Sequence, residues 1–344
     1  MADPPRLVLA APDAFKGTAS AAAVAAAVAE GATAAGWASD RCPLSDGGEG
    51  FADVLTTAPG SDPADPGRWN EATVTGPLGL PVVARWYLHR TRAVIESAAA
   101  SGLPLAGGAA GNDPVGATSR GTGELIVAAV AAGARRVLLG VGGSATTDGG
   151  LGAVEAIDEA GGLGGVEVVV ACDVETLFVD AAALFGPQKG ASPEQVVILR
   201  RRLEELADRY RTGRGVDVAA LAGSGAAGGL AGGLAALGAR LVPGFDVVAE
   251  AVDLGPRLAR SDLVVTGEGR LDTSSWSGKV VGGLRRLARR TGTPVLVVAG
   301  VLGPGGAVPD LEVVDLTALY GESRALAEPA ACVADAVRLA LSQR

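Results

Sequence analysis

The residues with the most chemical potential in this chain stand beside glycines. Gly140–Gly150 (GVGGSATTDGG) follows an apolar run and precedes a helical pattern. A loop of this kind offers backbone N–H groups and a helix N-terminus to an anion. Gly142 and Gly143 supply N–H groups, Ser144 and Thr146 add hydroxyl donors, and Asp148 can hold a divalent cation or accept a proton. The same spacing also suits a tight strand-to-helix turn capped by Thr146 or Asp148.

Further carboxylates share this setting: Asp46 with Glu49, Asp173, and Glu268 with Asp272, joined by Lys16 and Lys279. In Gly186–Gly190, Lys189 beside Gln188 sits on a turn, where its ammonium reaches a phosphate as a point charge or simply faces solvent. Phosphoryl transfer asks for backbone donors, cations, a divalent metal held by carboxylates, and an acid that orients or deprotonates the attacking hydroxyl. This set supplies all of them, although each residue alone also suits a helix cap. The single histidine, His89, reads as the end of a strand, so a general base here is Asp or Glu. Gly278-Lys279-Val280 lacks the Ser or Thr and the upstream Gly of a Walker A loop. Gly223–Gly228 matches GxGxxG, but a poor strand precedes it and no βαβ unit surrounds it. A helix start facing phosphate or substrate through Gly225 fits better than a dinucleotide site.

The chain that must position these groups has 344 residues, enough for two domains, with 48% apolar and 3% aromatic residues, so its core is aliphatic. A net charge of −9 argues against a nucleic-acid surface. Three distant cysteines without a CxxC fit a reducing compartment. The polar segment Met1–Arg6 and the short run after it are not a signal peptide. The Ala-rich stretch Ala19–Ala35 carries Glu30 and reads as a packed helix, not a membrane span. The expected location is therefore the cytoplasm, with no membrane partner.

Arg6–Ala11 and Asp40–Leu44 read as strands separated by the Ala-rich helix, which Thr18 or Ser20 can cap. Gly60–Asn70 is a polar, Pro-containing linker. Ala72–Val74, Val82–Leu88 and Thr91–Ala98 read as strands joined by tight turns. A helix over Gly121–Gly133, strands Arg136–Val141 and Val166–Ala171, and an amphipathic helix over Pro193–Tyr210 follow. In that helix Val196, Val197, Leu199, Leu203 and Leu206 form the apolar set. The strand–helix rhythm of the start returns at Leu263–Thr266, Gly278–Arg290, Val295–Ala299 and Pro329–Leu341. The expected organisation is an α/β domain built from residues 1–71 and 258–344, interrupted by an inserted α/β domain over 72–257.

The motifs, taken in order, resemble the type-1 glycerate kinase family. They are APDAFKGTASA at Ala11–Ala21, LSDGGEG at Leu44–Gly50, TGPLG at Thr75–Gly79, IESAAASGL at Ile95–Leu103 and TSRGTGELI at Thr118–Ile126. The GGSAT loop, FGPQKGA at Phe185–Ala191, GSGAAGGL at Gly223–Leu230, and DLVVTGEGRLD with SGKV at Asp262–Val280 complete the series. The resemblance implies a flavodoxin-like parallel-sheet domain built from both chain ends, a second α/β domain inserted in it, and an active site in the cleft between them. It implies a kinase that uses ATP and Mg²⁺ to phosphorylate D-glycerate, 2-phosphoglycerate being the favoured product, and it allows a homodimer. A kinase of a related hydroxy acid and a non-catalytic nucleotide or metabolite binder are the alternatives. The implied catalytic set is Asp46, Lys189, Asp148, Asp173 and Lys16, with Asp148 and Asp173 as metal ligands. The binding set is Asp13, Glu49, Gly142, Gly143, Ser144, Thr146, Gln188, Gly225, Glu268, Asp272 and Lys279. Two departures stand out. Only Glu159–Gly165 remains of a segment that is longer in the family, and Glu175–Phe178 replaces its Asn-Pro-Leu turn.

Overall fold

The computed structural model describes residues 5–56, 66–277 and 279–344. The first half of the expected linker, the start of the N-terminal segment and Gly278 lie outside the described residues. The strands are β1 (Leu7–Ala10), β2 (Ala38–Arg41), β3 (Arg68–Thr75), β4 (Pro81–His89), β5 (Arg92–Glu96), β6 (Arg136–Gly140), β7 (Glu167–Cys172), β8 (Arg240–Pro243), β9 (Leu263–Leu271), β10 (Val295–Leu302) and β11 (Glu312–Asp315). The longer helices are α1 (Ala21–Ala34), α2 (Arg120–Ala131), α3 (Leu151–Glu159), α4 (Pro193–Arg214), α5 (Gly244–Ala251), α6 (Val280–Thr291) and α7 (Pro329–Leu341).

The chain divides into two compact units, Met1–Gly60 with Phe245–Arg344, and Ser61–Gly244. The terminal unit holds one parallel sheet in the order β2-β1-β9-β10-β11. Counted within the unit this is 2-1-3-4-5, the flavodoxin-like order, and the strand order reverses between β1 and β9. β1 and the first half of β9 are continuous apolar runs because helices cover both faces of such a sheet. α1 and α7 pack on one of those faces, with Val24, Val28, Val333 and Val337 in the core. Ser20, not Thr18, caps α1, its hydroxyl accepting from Ala23 N at 3.2 Å.

The inserted unit holds a six-stranded sheet, β3-β4-β5-β6-β7-β8. β3, β4 and β5 are antiparallel hairpin partners, whereas β5 through β8 run parallel.

The expected domain limits shift. A cut at 71/72 would sever β3, which pairs with β4 along its full length from Arg68↔Leu88 to Thr75↔Pro81. A cut at 257/258 would separate α5 from its partner, since the Phe245 ring packs directly over Gly283 of α6. β8 and β11 were not expected, because RLVP and EVVD are too short to show a period. Of the expected apolar set in α4, Leu199, Leu203 and Leu206 are buried, joined by Ala207 and Tyr210, while Val197 is 68% exposed. It stands 200° around the helix from Leu199, off the apolar stripe. No helix among the described residues is long and apolar enough to cross a membrane. Cys42, Cys172 and Cys332 are buried free thiols.

Gly31 shows how close α1 and α7 approach. A Cβ there would lie 2.3 Å from Ala334 O. Helix propensity favours Ala over Gly by about 1 kcal/mol, yet here Ala would force the helices apart. Gly31→Ala is therefore expected to lower stability by about 1–3 kcal/mol, read as a shifted urea midpoint with unchanged slope. A stabilised variant would show that the helix pair yields freely.

Candidate functional site

In the terminal unit the loops that follow β1, β2 and β9 converge beyond the sheet. Pairing with β9 continues past the end of β1: Ala11 N donates to Val265 O at 2.8 Å and Asp13 N to Gly267 O at 2.9 Å, while Thr266 Oγ1 donates to Ala11 O at 2.8 Å. On the other side Cys42 N donates to Ala10 O and Leu44 N to Pro12 O. These bonds carry Asp13, Asp46 and Glu268 into one neighbourhood at the reversal point of the sheet, where open α/β sheets bind their ligands.

The glycines around Glu268 permit this approach. A Cβ on Gly267 would lie 1.9 Å from Val298 O, and one on Gly269 would lie 3.3 Å from the Phe15 Cα. The expected strand stopped at Thr266, before GEGRL. GEGRL is instead the second half of β9, because Arg270 and Leu271 keep pairing with Val301 and Leu302 of β10.

Asp13 is 6% exposed and Asp46 4%. Asp13 Oδ1 accepts from Ala14 N at 2.7 Å, and Asp46 Oδ1 from Gly48 N at 3.1 Å. Burial, with the charges of Asp46 and Glu268, pushes the Asp13 carboxyl up to about 8, against the pull of the Ala14 N–H and Lys16. Burial likewise raises Glu268, which accepts a hydrogen bond from Ser275 and feels Lys279, Asp46 and Asp272. Its Oε1 is buried with no partner. Asp272 is a local cap: it accepts from Ser274 N at 2.9 Å and Ser274 Oγ at 2.7 Å, which lowers its pKa. Lys279 Nζ reaches Ser274 Oγ at 3.3 Å. Lys16 and Glu49 are exposed.

In the inserted unit a second set gathers at the end of β6. Lys189 is 3% exposed, so the reading of it as a solvent-facing turn lysine is wrong. Its Nζ donates to Ser144 Oγ at 2.9 Å and to Thr146 O at 2.6 Å. Burial lowers its pKa to about 7, and Asp148 opposes the shift. A short turn, Pro187–Lys189, ended by Gly190 at φ 92°, aims the side chain inward. Gln188 on the same turn is exposed. Asp148 is filled by donors: Ser119 N and Oγ at 2.8 Å each, Gly150 N at 3.1 Å and Gly152 N at 3.3 Å. It ties the loop to the start of α2. Gly142 and Gly143 are the accessible part of the loop, and residues 144–150 are buried.

The GxGxxG stretch leads into a short helix, Leu230–Ala236, and its glycines are packed inside the unit. A Cβ on Gly228 would lie 2.0 Å from Thr146 O, one on Gly229 2.7 Å from the Gly149 Cα, and one on Gly225 2.4 Å from Leu177 O. These glycines let the segment pack against the GGSAT loop and its neighbours. Asp173 follows the last residue of β7, half-buried, where its charge helps burial raise the Cys172 thiol. The sequence reading missed Ser119 and Asn112. Asn112 Nδ2 donates to Ala145 O and Lys189 O. Ser119 lies in the TSRGTG motif and carried a signal, whereas Asn112 lies in no motif. Among the described residues no group of three or more His, Cys, Asp or Glu has the arrangement of a metal site.

Comparison with known proteins covers both units. A family model described as the Glycerate kinase family matches residues 8–161 and 159–341. The glycerate 2-kinase of Escherichia coli K12 is 39% identical over 333 residues, spanning 86% of this chain and 85% of its own. The glycerate kinase of Bacillus subtilis 168 is 39% identical over 330 residues, 85% of this chain and 84% of its own. The crystal structure of a Salmonella typhimurium LT2 chain assigned as glycerate kinase 2 superposes with a TM-score of 0.81 at 35% identity, covering 99% of this chain and 98% of that one.

Proposed function

The chain belongs to the glycerate kinase family, and from that premise we propose that it transfers the γ-phosphoryl group of ATP to D-glycerate, giving 2-phosphoglycerate and ADP. The observation that carries this reading is the 39% identity to a glycerate 2-kinase over 86% of the chain. In the reaction a bond forms between the 2-hydroxyl oxygen and the γ-phosphorus. The bond from that phosphorus to the β–γ bridging oxygen breaks, and the hydroxyl proton passes to a base. Catalysis of this kind is chiefly positioning and charge neutralisation.

Taken by itself, the terminal unit gathers carboxylates with Lys16 and Lys279; the inserted unit, taken by itself, holds a buried ammonium behind a hydroxyl-bearing loop. Asp148 does not suit Mg²⁺, because its lone pairs are taken by four donors; its role is to hold the loop. Asp46 and Glu268 do suit it. Glu268 Oε1 is buried without a partner, and converging carboxylates gain from a cation. Mg²⁺ needs only one or two protein carboxylates when phosphates and water complete its shell. When bound there, it would neutralise phosphate charge. Lys16 adds positive charge beside Asp13 and Lys279 beside Glu268, and Asp13 itself is buried.

³¹P NMR of the product from ATP, Mg²⁺ and D-glycerate tests the reaction. A 2-phosphate resonance is expected. ATP binding without ADP release would leave a non-catalytic binder, and faster ADP release with another hydroxy acid would reassign the substrate. Mg²⁺ alone is expected to raise the melting temperature of the parent more than that of Asp46→Asn. Equal shifts would remove Asp46 from the metal.

A further inference from the structure

Two segments distant in sequence meet at the turn that aims Lys189. One is the loop stretch Ser144–Thr146, and the other is the end of the short helix Gly108–Gly111. Asn112 follows that helix. Its Nδ2 donates one hydrogen to Ala145 O at 3.0 Å and the other to Lys189 O at 2.9 Å. With both amide hydrogens given to carbonyls, the orientation of the amide is fixed. Its Oδ1 is buried and has no donor. A buried acceptor left unsatisfied is unfavourable, so the amide at this position serves its two N–H groups. The same helix presses on the turn next door: a Cβ on Gly190 would lie 2.3 Å from Ala109 O. The turn is thus fastened to the loop twice, once through its backbone by Asn112 and once through the Lys189 ammonium on Ser144 Oγ and Thr146 O.

We propose that Asn112 is a positioning residue of the phosphoryl-transfer reaction: by bridging Ala145 and Lys189 it holds the lysine ammonium against the loop after β6. This rests on the reading of Lys189 as a charge that serves transfer. Without the bridge the turn is free to lift from the loop, and Lys189 moves out toward solvent. A displaced catalytic contact lowers turnover on the order of a hundredfold, and because the charge acts in the transition state, kcat falls while KM for D-glycerate changes little.

The test uses the full chain. Asn112→Leu keeps the volume and removes both donors, and Asn112→Ser, smaller and with one donor, is measured beside it. The chain has three lysines, Lys16, Lys189 and Lys279, so a pulse of an amine-acylating reagent followed by peptide mass spectrometry reads each one. In the parent Lys189 is expected to acylate far more slowly than exposed Lys16. In Asn112→Leu the Lys189 rate is expected to rise about tenfold or more relative to Lys16, with kcat falling and the melting curve still cooperative, and Asn112→Ser is expected to fall between. Unchanged Lys189 labelling in both variants overturns the proposal whatever the kinetics do. Faster labelling with unchanged kcat also overturns it, and if Lys189→Met then keeps full turnover, the failure lies in the role given to the lysine and not in the bridge.

Discussion

Lys189→Met is expected to lose about 10²- to 10³-fold in kcat while the protein still folds. A preorganised charge that acts on the transition state is worth about 3–4 kcal/mol. Methionine keeps most of the volume and removes the ammonium from a site where burial already holds the lysine near pKa 7. The desolvation it relieves offsets part of what is lost when Ser144 Oγ and Thr146 O lose their donor. Lys189→Ala behaves differently. Had the lysine been exposed, truncation would have left stability nearly unchanged. Because it is buried, Ala adds a cavity, and a stability loss of about 2–4 kcal/mol is expected on top of the kinetic loss. Urea midpoints and steady-state kinetics of both variants separate the effects. A Met variant that turns over within a few-fold of the parent removes Lys189 from the chemistry.

Asp13→Asn is expected to gain stability and lose activity together. Asp13 is raised in the folded protein to about 8 from 3.8. Between those pH values the folded state keeps a proton that the unfolded state has released. The stabilisation it gives is complete below about pH 4 and disappears as pH rises toward 8, at most about 1.4 kcal/mol per pH unit. Asn mimics the neutral form at every pH. In EDTA the variant's advantage in melting temperature should therefore be small at pH 4, grow toward pH 8, and then level off. At pH 8 kcat/KM is expected to fall a hundredfold or more, as for the loss of one charged group from a transition-state site. A variant that melts below the parent at pH 8 would show that the carboxylates do not repel.

Much of the fold was legible because long apolar runs and helical periods are local signals. β1, α1, β6, β7, α4 and α7 stand within a few residues of where their patterns place them. The parallel order of the terminal sheet was legible through rhythm and family resemblance. Three things were not. The boundaries slipped because Arg68–Glu71 is polar on an exposed edge strand, so the sequence there resembles a linker. Lys189 read as exposed because a Pro-Gly turn with a charged residue is ordinarily a surface feature; only the packing of Ser144 and Thr146 beside it reveals the buried ammonium. Asp148 read as a metal ligand because an acid among glycines suits a cation, but those glycines spend their N–H groups on it. Asp13, Asp46 and Glu268 were each visible as single acids, and what brings them together is the β1–β9 register, Val8 opposite Leu263.

That register has a consequence for biosynthesis. The second strand of the terminal sheet's central pair is made about 250 residues after the first, so the sheet cannot close until the last third of the chain has left the ribosome. The inserted unit is continuous from Ser61 to Gly244 and is complete earlier. Closing a loop of flexible chain costs only as the logarithm of its length. Once the insert has folded, the two ends of that loop are no longer separated by flexible chain but by a compact body. The natural sequence of events is insert first, then β9 onto waiting β1 and β2, which until then expose unpaired edges. Nascent chains arrested once Gly244 has cleared the ribosome but while β9 is still inside it should resist protease from residue 66 onward and be cut readily before residue 56.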